Sequence, residues 1–282
     1  MLTLESVTYR YAGASRPAIR EVSLRLAATD VVGLCGPSES GKTTVCLVAS
    51  GLAPRTIRGA LEGRLLIDGE DVAGRPMHQL VSRVGICFQD PTTQLSGVSA
   101  TVYEEVAFGP MNLGLARGEI VARAEEALEA LRISDLARRD PSRLSGGQMQ
   151  LVAIAGLLAM RPAHLILDEP TAELDPAGAR LVADAIGRLA GEGRSILIAE
   201  QRTDLVARIC HRVLVLREGR VEREGRPAEV LSDPRSRDLG VPEPSAVRLR
   251  RRVVEAGLDA GPVDRVLDRG ATAIGSRRSA GA

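Results

Sequence analysis

The chain has 282 residues, with 37 basic side chains against 36 acidic ones and a formal net charge of +1, so it offers no general electrostatic pull toward nucleic acid or an anionic membrane surface. Aromatic residues make up 2% of it and Trp is absent. That argues against base-stacking platforms and leaves a core of Ala, Val, Leu and Ile, the composition that buried parallel sheets use.

The opening MLTLESVTYR lacks a basic stretch followed by an apolar one, so it does not read as a signal peptide. Residues 2–28 alternate in strand fashion around a Gly/Ser/Pro turn at Gly13 to Pro17, which predicts a small antiparallel layer ahead of the main fold. VVGLC at 31–35 is a short buried-strand run, followed by a Gly-rich turn and a helical stretch through Leu52. RVGICF at 83–88 reads as a further strand, and residues 101–139 as helical, with Ile120, Ala124, Ala127, Leu128 and Leu131 on one face. From residue 145 the pattern predicts a helix, a strand at His164 to Leu167, a helix at Pro176 to Leu189, a strand at Ser195 to Ala199, a helix, and a closing hairpin in VLVLREGRVERE. Beyond about residue 238 the pattern stops. Residues 244–256 can form one basic amphipathic helix, and GATAIGSRRSAGA reads as a frayed terminus.

Cys35, Cys46, Cys87 and Cys210 stand singly inside apolar segments, which favours buried reduced thiols over disulfides or a metal site. The longest apolar run, Leu151 to Met160, falls well short of the roughly 18 residues a membrane span needs. Any work at a membrane therefore requires another chain to cross it, and this chain is expected in the cytoplasm.

Chemistry concentrates in a few segments. GPSESGKTT fits G-x-x-x-x-G-K-[ST] between a strand and a helix, with Gly36, Gly41, Lys42 and Thr43 at the motif positions and Pro37, Ser38, Glu39, Ser40 and Thr44 completing the loop. Backbone N–H groups there would wrap phosphates, Lys42 would reach the β and γ phosphates, and the Thr43 hydroxyl would take Mg²⁺. Lys42 is the only lysine of the chain, so a protein that uses Arg everywhere else keeps a compact ammonium where a planar guanidinium fits badly. HLILDEP ends a hydrophobic strand in Asp168 and Glu169. Asp168 would hold the Mg²⁺ shell and Glu169 would polarise an attacking water. LSGGQ, Leu144 to Gln148, sets a serine cap and two glycines at a helix start, and Asp175 before Pro176 is a second strong helix start.

Taken in order, Gly36 to Thr44, Gln89, LSGGQ, LILDEP and AELD resemble the ATP-binding cassette (ABC) ATPases over about residues 2–235. The resemblance implies an α/β P-loop fold with an N-terminal antiparallel β subdomain and an inserted helical subdomain near 90–160, the cassette running to 238 and a short C-terminal extension over 239–282. It implies that Tyr11 stacks on adenine, that Gln89 reaches Mg²⁺ and senses a membrane partner, and that Asp175 communicates across a dimer. Two such cassettes sandwich two ATP molecules, so Leu144, Ser145, Gly146, Gly147 and Gln148 would serve the partner's nucleotide. The stretch FQDPTTQLSGVSATVYEEVAFGPMNLGL at 88–115 is similar to energy-coupling factor transporters, and the tail VPEPSAVRLRRRVVEAGL resembles their C-terminal extension. Those machines import vitamins or transition-metal ions. They pair two cassettes, at the cytoplasmic face of the membrane, with a transmembrane coupling protein and a substrate-binding membrane protein.

Two positions depart from the family pattern. Glu39 stands where a Gly is usual, its carboxyl group either weakening the phosphate trap or pointing harmlessly to solvent. Gln201, in ILIAEQRTD, stands where a histidine is expected to contact the γ-phosphate and the attacking water. Neither His164 nor His211 is placed to substitute. Gln can donate a hydrogen bond but takes no proton near neutral pH, so either this site is slow and a histidine-bearing partner supplies the faster one, or Gln serves adequately. Two rival readings are a non-hydrolysing, ATP-gated subunit and a cassette ATPase outside transport.

Overall fold

The computed structural model describes residues 1–262 of the 282; the terminal stretch expected to fray lies outside them. In chain order the elements are β1 (Leu2–Tyr11), β2 (Ile19–Leu26), β3 (Val31–Cys35), α1 (Lys42–Ala49), a short turn α2 (Leu52–Arg55), β4 (Gly59–Ile67), β5 (Glu70–Asp71) and β6 (Val84–Cys87). Then come α3 (Val102–Asn112), α4 (Arg117–Ala130), α5 (Gly146–Met160), β7 (His164–Asp168), α6 (Pro176–Gly191), β8 (Ser195–Ala199) and α7 (Thr203–Ile209). The described chain closes with β9 (Arg212–Arg217), β10 (Arg220–Gly225), α8 (Pro227–Val230), α9 (Pro234–Asp238) and α10 (Ser245–Glu255).

Two sheets result. A four-stranded antiparallel sheet has the order β2-β1-β4-β5, and a six-stranded sheet the order β10-β9-β3-β8-β7-β6. In the larger sheet β3 runs parallel to both β8 and β9, and β7 runs parallel to both β8 and β6, leaving only the β9–β10 pairing antiparallel. Its inner strands are buried on both faces, which is why they read as unbroken apolar runs. Alternate residues feed two cores. Val31, Cys35, Leu165, Leu167, Ile196 and Ile198 pack with α3 to α7, while Val32, Leu34, Ile166, Leu197 and Ala199 pack with α1 and the antiparallel sheet. With so few aromatics, Tyr9 is the largest fully buried side chain, and its hydroxyl donates to Ile57 O at 2.7 Å, as a buried phenol requires.

Several expected boundaries shift for local reasons. The helix after the phosphate loop stops at Ala49 rather than Leu52, because Gly51 turns left-handed at φ +77°. The helical stretch over 101–139 is two helices, separated where Gly114 takes φ +71°, followed by a single turn of 3₁₀ helix at Ser134–Leu136. Of the apolar face named above, Ala124, Ala127, Leu128 and Leu131 are buried and Ile120 packs against them half-buried. Strand β4 was not foreseen. Residues 60 and 62–64 along it are exposed, so its pattern lacks the alternation that marks a half-buried strand.

The antiparallel layer, the 31–35 strand and the closing hairpin form as the sequence leads one to expect. Helix α10 covers the region read as a basic amphipathic helix, and its start is tied to α7, Ser245 donating through N and Oγ to the Asp204 carboxyl at 2.7 Å each. All four cysteines are free and buried. Among the described residues no helix is long and apolar enough to cross a membrane.

Candidate nucleotide site

The parallel register brings four strand ends to one edge. Leu34 and Asp168 both lie opposite Ala199, and Cys87 lies opposite Leu167. The loop after β3, Gln201 after β8, Asp168 and Glu169 at the end of β7, and Gln89 after β6 therefore emerge side by side, at the carboxyl edge where open α/β sheets bind ligands.

The loop is shaped by close backbone approach. Gly36 has φ +152°, and a Cβ on it would fall 2.3 Å from Leu216 O; Gly41 has φ +104°, and its Cβ would fall 2.9 Å from Ala18 O. No other residue fits either position. The β9–β10 turn props the loop from outside: Gly219 N donates to Ser40 O at 3.0 Å, and Arg20 N donates to Gly219 O at 2.8 Å. Helix α1 then opens on Lys42 with neither a side-chain cap nor an acidic residue in its first turn, so its first N–H groups point at the cleft without an intrahelical partner. Lys42 is 5% exposed, and its Nζ donates to Gly36 O at 3.0 Å and Pro37 O at 2.9 Å.

The cleft above the loop is lined by Ala18, Ser38, Glu39, Gly41, Lys42, Thr43, Thr44, Gln89, Glu169 and Gln201. Gln201 Nε2 donates to Glu169 Oε1 at 2.7 Å. Glu39 is exposed on the rim with φ +62°, and Glu169 has φ +46°, left-handed values that cost a side-chain-bearing residue about 1–2 kcal/mol and mark both as held there by their surroundings. Asp168 lies beneath, 3% exposed. Burial pushes its carboxyl pKa up and the neighbouring Glu169 adds to this, against a hydrogen bond from Thr43 and the charge of Lys42. Asp168 Oδ1 has no hydrogen-bond partner among the described residues. Burial also raises the Cys46 thiol pKa, and that of Cys35 to about 12, so neither thiol is a nucleophile at neutral pH.

Tyr11 is outside the lining. Its hydroxyl shares a 2.9 Å hydrogen bond with Thr44 Oγ1, and its ring meets Tyr9 edge-on at 5.0 Å between centroids. The LSGGQ segment also lies away from the cleft. Ser145 caps α5 by accepting from Gln148 N at 3.3 Å, while Gln148 Oε1 accepts from Ser145 N at 3.1 Å, a reciprocal capping box. Leu144 is buried beside it. Gly146 and Gly147 sit against the 172–175 loop, where a Cβ on Gly147 would lie 3.1 Å from Glu173 O. Asp175 closes that loop by accepting from Gly178 N at 2.7 Å.

Three contributions escape sequence reasoning: Ala18 in the lining, the Gly219 prop, and Glu200, whose buried carboxyl group holds the turn carrying Gln201. The last had a faint signal, a lone carboxyl closing an apolar strand.

A strand, a glycine loop and a helix N-terminus carrying Lys42, faced by carboxyl groups from a neighbouring parallel strand, define a P-loop nucleoside-triphosphatase cassette. Residues 19–172 match the ABC transporter family. A putative ABC transporter ATP-binding protein of Pyrococcus horikoshii is 36% identical over 260 residues, covering 92% of this chain and 91% of the relative. One of Methanosarcina mazei is 38% identical over 254 residues, 89% of this chain, which spans only 43% of that relative's length. An energy-coupling factor transporter ATP-binding protein of Symbiobacterium thermophilum is 38% identical over 261 residues, covering 91% of this chain and 88% of the relative. Among solved structures, cbiO1 of Clostridium perfringens, described as part of the ABC transporter complex cbiONQ, superposes with a TM-score of 0.73 at 33% identity, covering 89% of this chain and 93% of that one. A dimeric ATP-binding cassette in a post-hydrolysis state bound to ADP and Pi superposes at 0.71 with 28% identity, covering 80% and 99%. The chain belongs to the ABC transporter family, as one of its ATPase cassettes.

Proposed function

We propose that this chain binds and hydrolyses ATP to drive an importer of the energy-coupling factor type, whose solute is a vitamin or a transition-metal ion. Its partners in this reading are a second cassette, a transmembrane coupling protein and a substrate-binding membrane protein, met at the cytoplasmic face of the membrane. The observation that carries the ATPase part is the convergence of Lys42, Thr43, Gln89, Glu169 and Gln201 on one cleft. The importer part is supported by the similarity to energy-coupling factor subunits and to cbiO1.

The loop and the α1 N-terminus would bind the triphosphate, Lys42 turning from the carbonyls of Gly36 and Pro37 to the β and γ phosphates. The unpartnered Asp168 Oδ1, the Thr43 hydroxyl and the Gln89 amide oxygen are hard oxygen donors that suit Mg²⁺ held jointly with substrate phosphates. Bound there, Mg²⁺ would offset charge on the phosphate oxygens. Glu169 polarises a water whose oxygen forms a bond to the γ phosphorus as the bond to the ADP oxygen breaks, releasing ADP and phosphate. Gln201 orients the Glu169 carboxyl group through its amide. Residues 144–148 and Asp175, lying off the cleft of their own chain, would complete the partner's site across a sandwich dimer, and Tyr11 would border the adenine. Residues 1–238 form the cassette in this scheme and 239–282 a short C-terminal extension, within which Ser245 bonds Asp204.

A second reading, an ATP-gated subunit with a slow site beside a faster partner, is favoured by one observation: Gln201 supplies a hydrogen-bond donor and no titrating group. The test is to isolate the chain with its membrane partners, reconstitute the assembly in liposomes and measure phosphate release. Turnover lost in Glu169→Gln supports a hydrolysing site here. Turnover unchanged in that variant supports the gated reading, and isolation without any membrane protein overturns the importer.

A further inference from the structure

Glu200 directly follows β8 and is 2% exposed. Its Oε1 accepts the backbone N–H of Gln201 at 2.9 Å and of Arg202 at 3.1 Å, and its Oε2 accepts the Thr171 hydroxyl at 2.6 Å. Thr171 is itself fully buried. The backbone N–H of Glu200 donates to Leu34 O at 3.1 Å, binding Glu200 to the strand that leads into the phosphate loop. From the next residue but one, Arg202 Nη2 reaches Leu174 O at 2.9 Å. A carboxyl group taken out of water is tolerated only when its lone pairs are met, and here they are met by neutral donors from two different loops.

An apolar residue would pack the end of β8 with no such requirement, so the carboxyl group is to be understood by what it holds. Two consecutive N–H groups bound to one oxygen fix the path of the backbone at Gln201. The Thr171 bond fixes that turn to the loop two residues beyond Glu169. Both flanks of the Gln201–Glu169 contact are thus tied to one buried group.

The geometry points to Glu200 as a positioning residue: its carboxyl group clamps the Gln201 turn to Thr171 and so keeps Gln201 Nε2 on Glu169 Oε1. The role rests on the cleft being a hydrolytic site. Preorganising a polar group before the reaction removes the cost of ordering it during the reaction.

The test uses the assembled transporter with Glu200→Ala, Glu200→Gln and Thr171→Val. It reads kcat and KM for ATP beside amide hydrogen exchange in the 199–203 segment. Glu200→Ala and Thr171→Val are expected to lower kcat by about tenfold with KM within about twofold, and to speed exchange at Gln201 and Arg202 by about tenfold or more. Glu200→Gln keeps an oxygen for the two N–H groups and offers an amide that the Thr171 hydroxyl can accept, so it is expected to recover most of the rate. Thr171→Val keeps the test open if Glu200→Ala does not fold. Unchanged exchange, unchanged kcat, or a rise in KM alone would overturn the clamp. Absence of any turnover in the unmodified assembly would sink the hydrolytic reading itself, a result distinct from turnover that ignores these variants.

Discussion

Gln201 Nε2 lies 2.7 Å from Glu169 Oε1 and donates to it, joining the turn after β8 to the carboxyl group at the end of β7. An amide in that position holds the carboxyl group in one orientation without competing for its proton.

Gln201→Ala is expected to lower kcat by about tenfold while leaving ATP affinity within about twofold, since the amide orients and does not anchor the nucleotide. Gln201→Glu should cost more, because it sets two carboxyl groups against each other. Phosphate release at saturating ATP, beside fluorescent-nucleotide binding, checks both.

Glu169→Gln removes the group that polarises water and keeps its shape. Turnover should fall by roughly 10²- to 10⁴-fold, with ATP still bound. A nucleotide-bound dimer should then accumulate on size-exclusion chromatography.

Lys42 reaches two loop carbonyls with a compact ammonium. Lys42→Arg retains the charge but not the fit, and ATP affinity should drop by about tenfold or more. Calorimetric titration with ATP would show it, and unchanged affinity would mean that charge alone suffices.

Glu39 stands on the cleft rim with its backbone left-handed. Glu39→Gly should tighten ATP binding by about two- to fivefold at low salt, and the gain should shrink in 1 M salt, where the screening length falls to about 3 Å. A gain independent of salt would point to backbone relief in place of charge.

Burial raises the Asp168 pKa. A carboxyl group raised on folding contributes stability that is present below its unfolded value near about 3.9 and lost as pH rises through its folded value. At neutral pH the ionised group therefore costs stability, and Asp168→Asn should melt about 2–4 °C higher in nucleotide-free protein. The gap should close as pH falls toward about 4, and the variant's ATP binding should lose its response to added Mg²⁺.

Local chemistry was legible wherever spacing along the chain encodes it. The glycines at 36 and 41 fall at the fixed spacing of the loop motif, and the serine cap at 145 bonds a residue three positions on, so both are visible in local spacing, although the carbonyls that crowd the glycines, Leu216 O and Ala18 O, come from distant parts of the chain. The strands read well because burial on both faces leaves an unbroken apolar run. The boundaries that slipped, at Gly51 and Gly114, did so because a glycine inside an apolar pattern reads equally as helix interior or as turn. Strand β4 was hidden because its exposed stretch at 62–64 masks any period.

The sequence by itself determined that a phosphate loop, a carboxyl pair and a capped glycine segment occur in the order of an ATP-binding cassette. Only the tertiary structure decided how they meet. Strand β8 lies between β3 and β7, which sets Gln201 beside Glu169, and the β9–β10 turn comes back to support Ser40. Strand order and the return of a distant hairpin are settled by burial of whole faces across the chain, a long-range condition that no local spacing records.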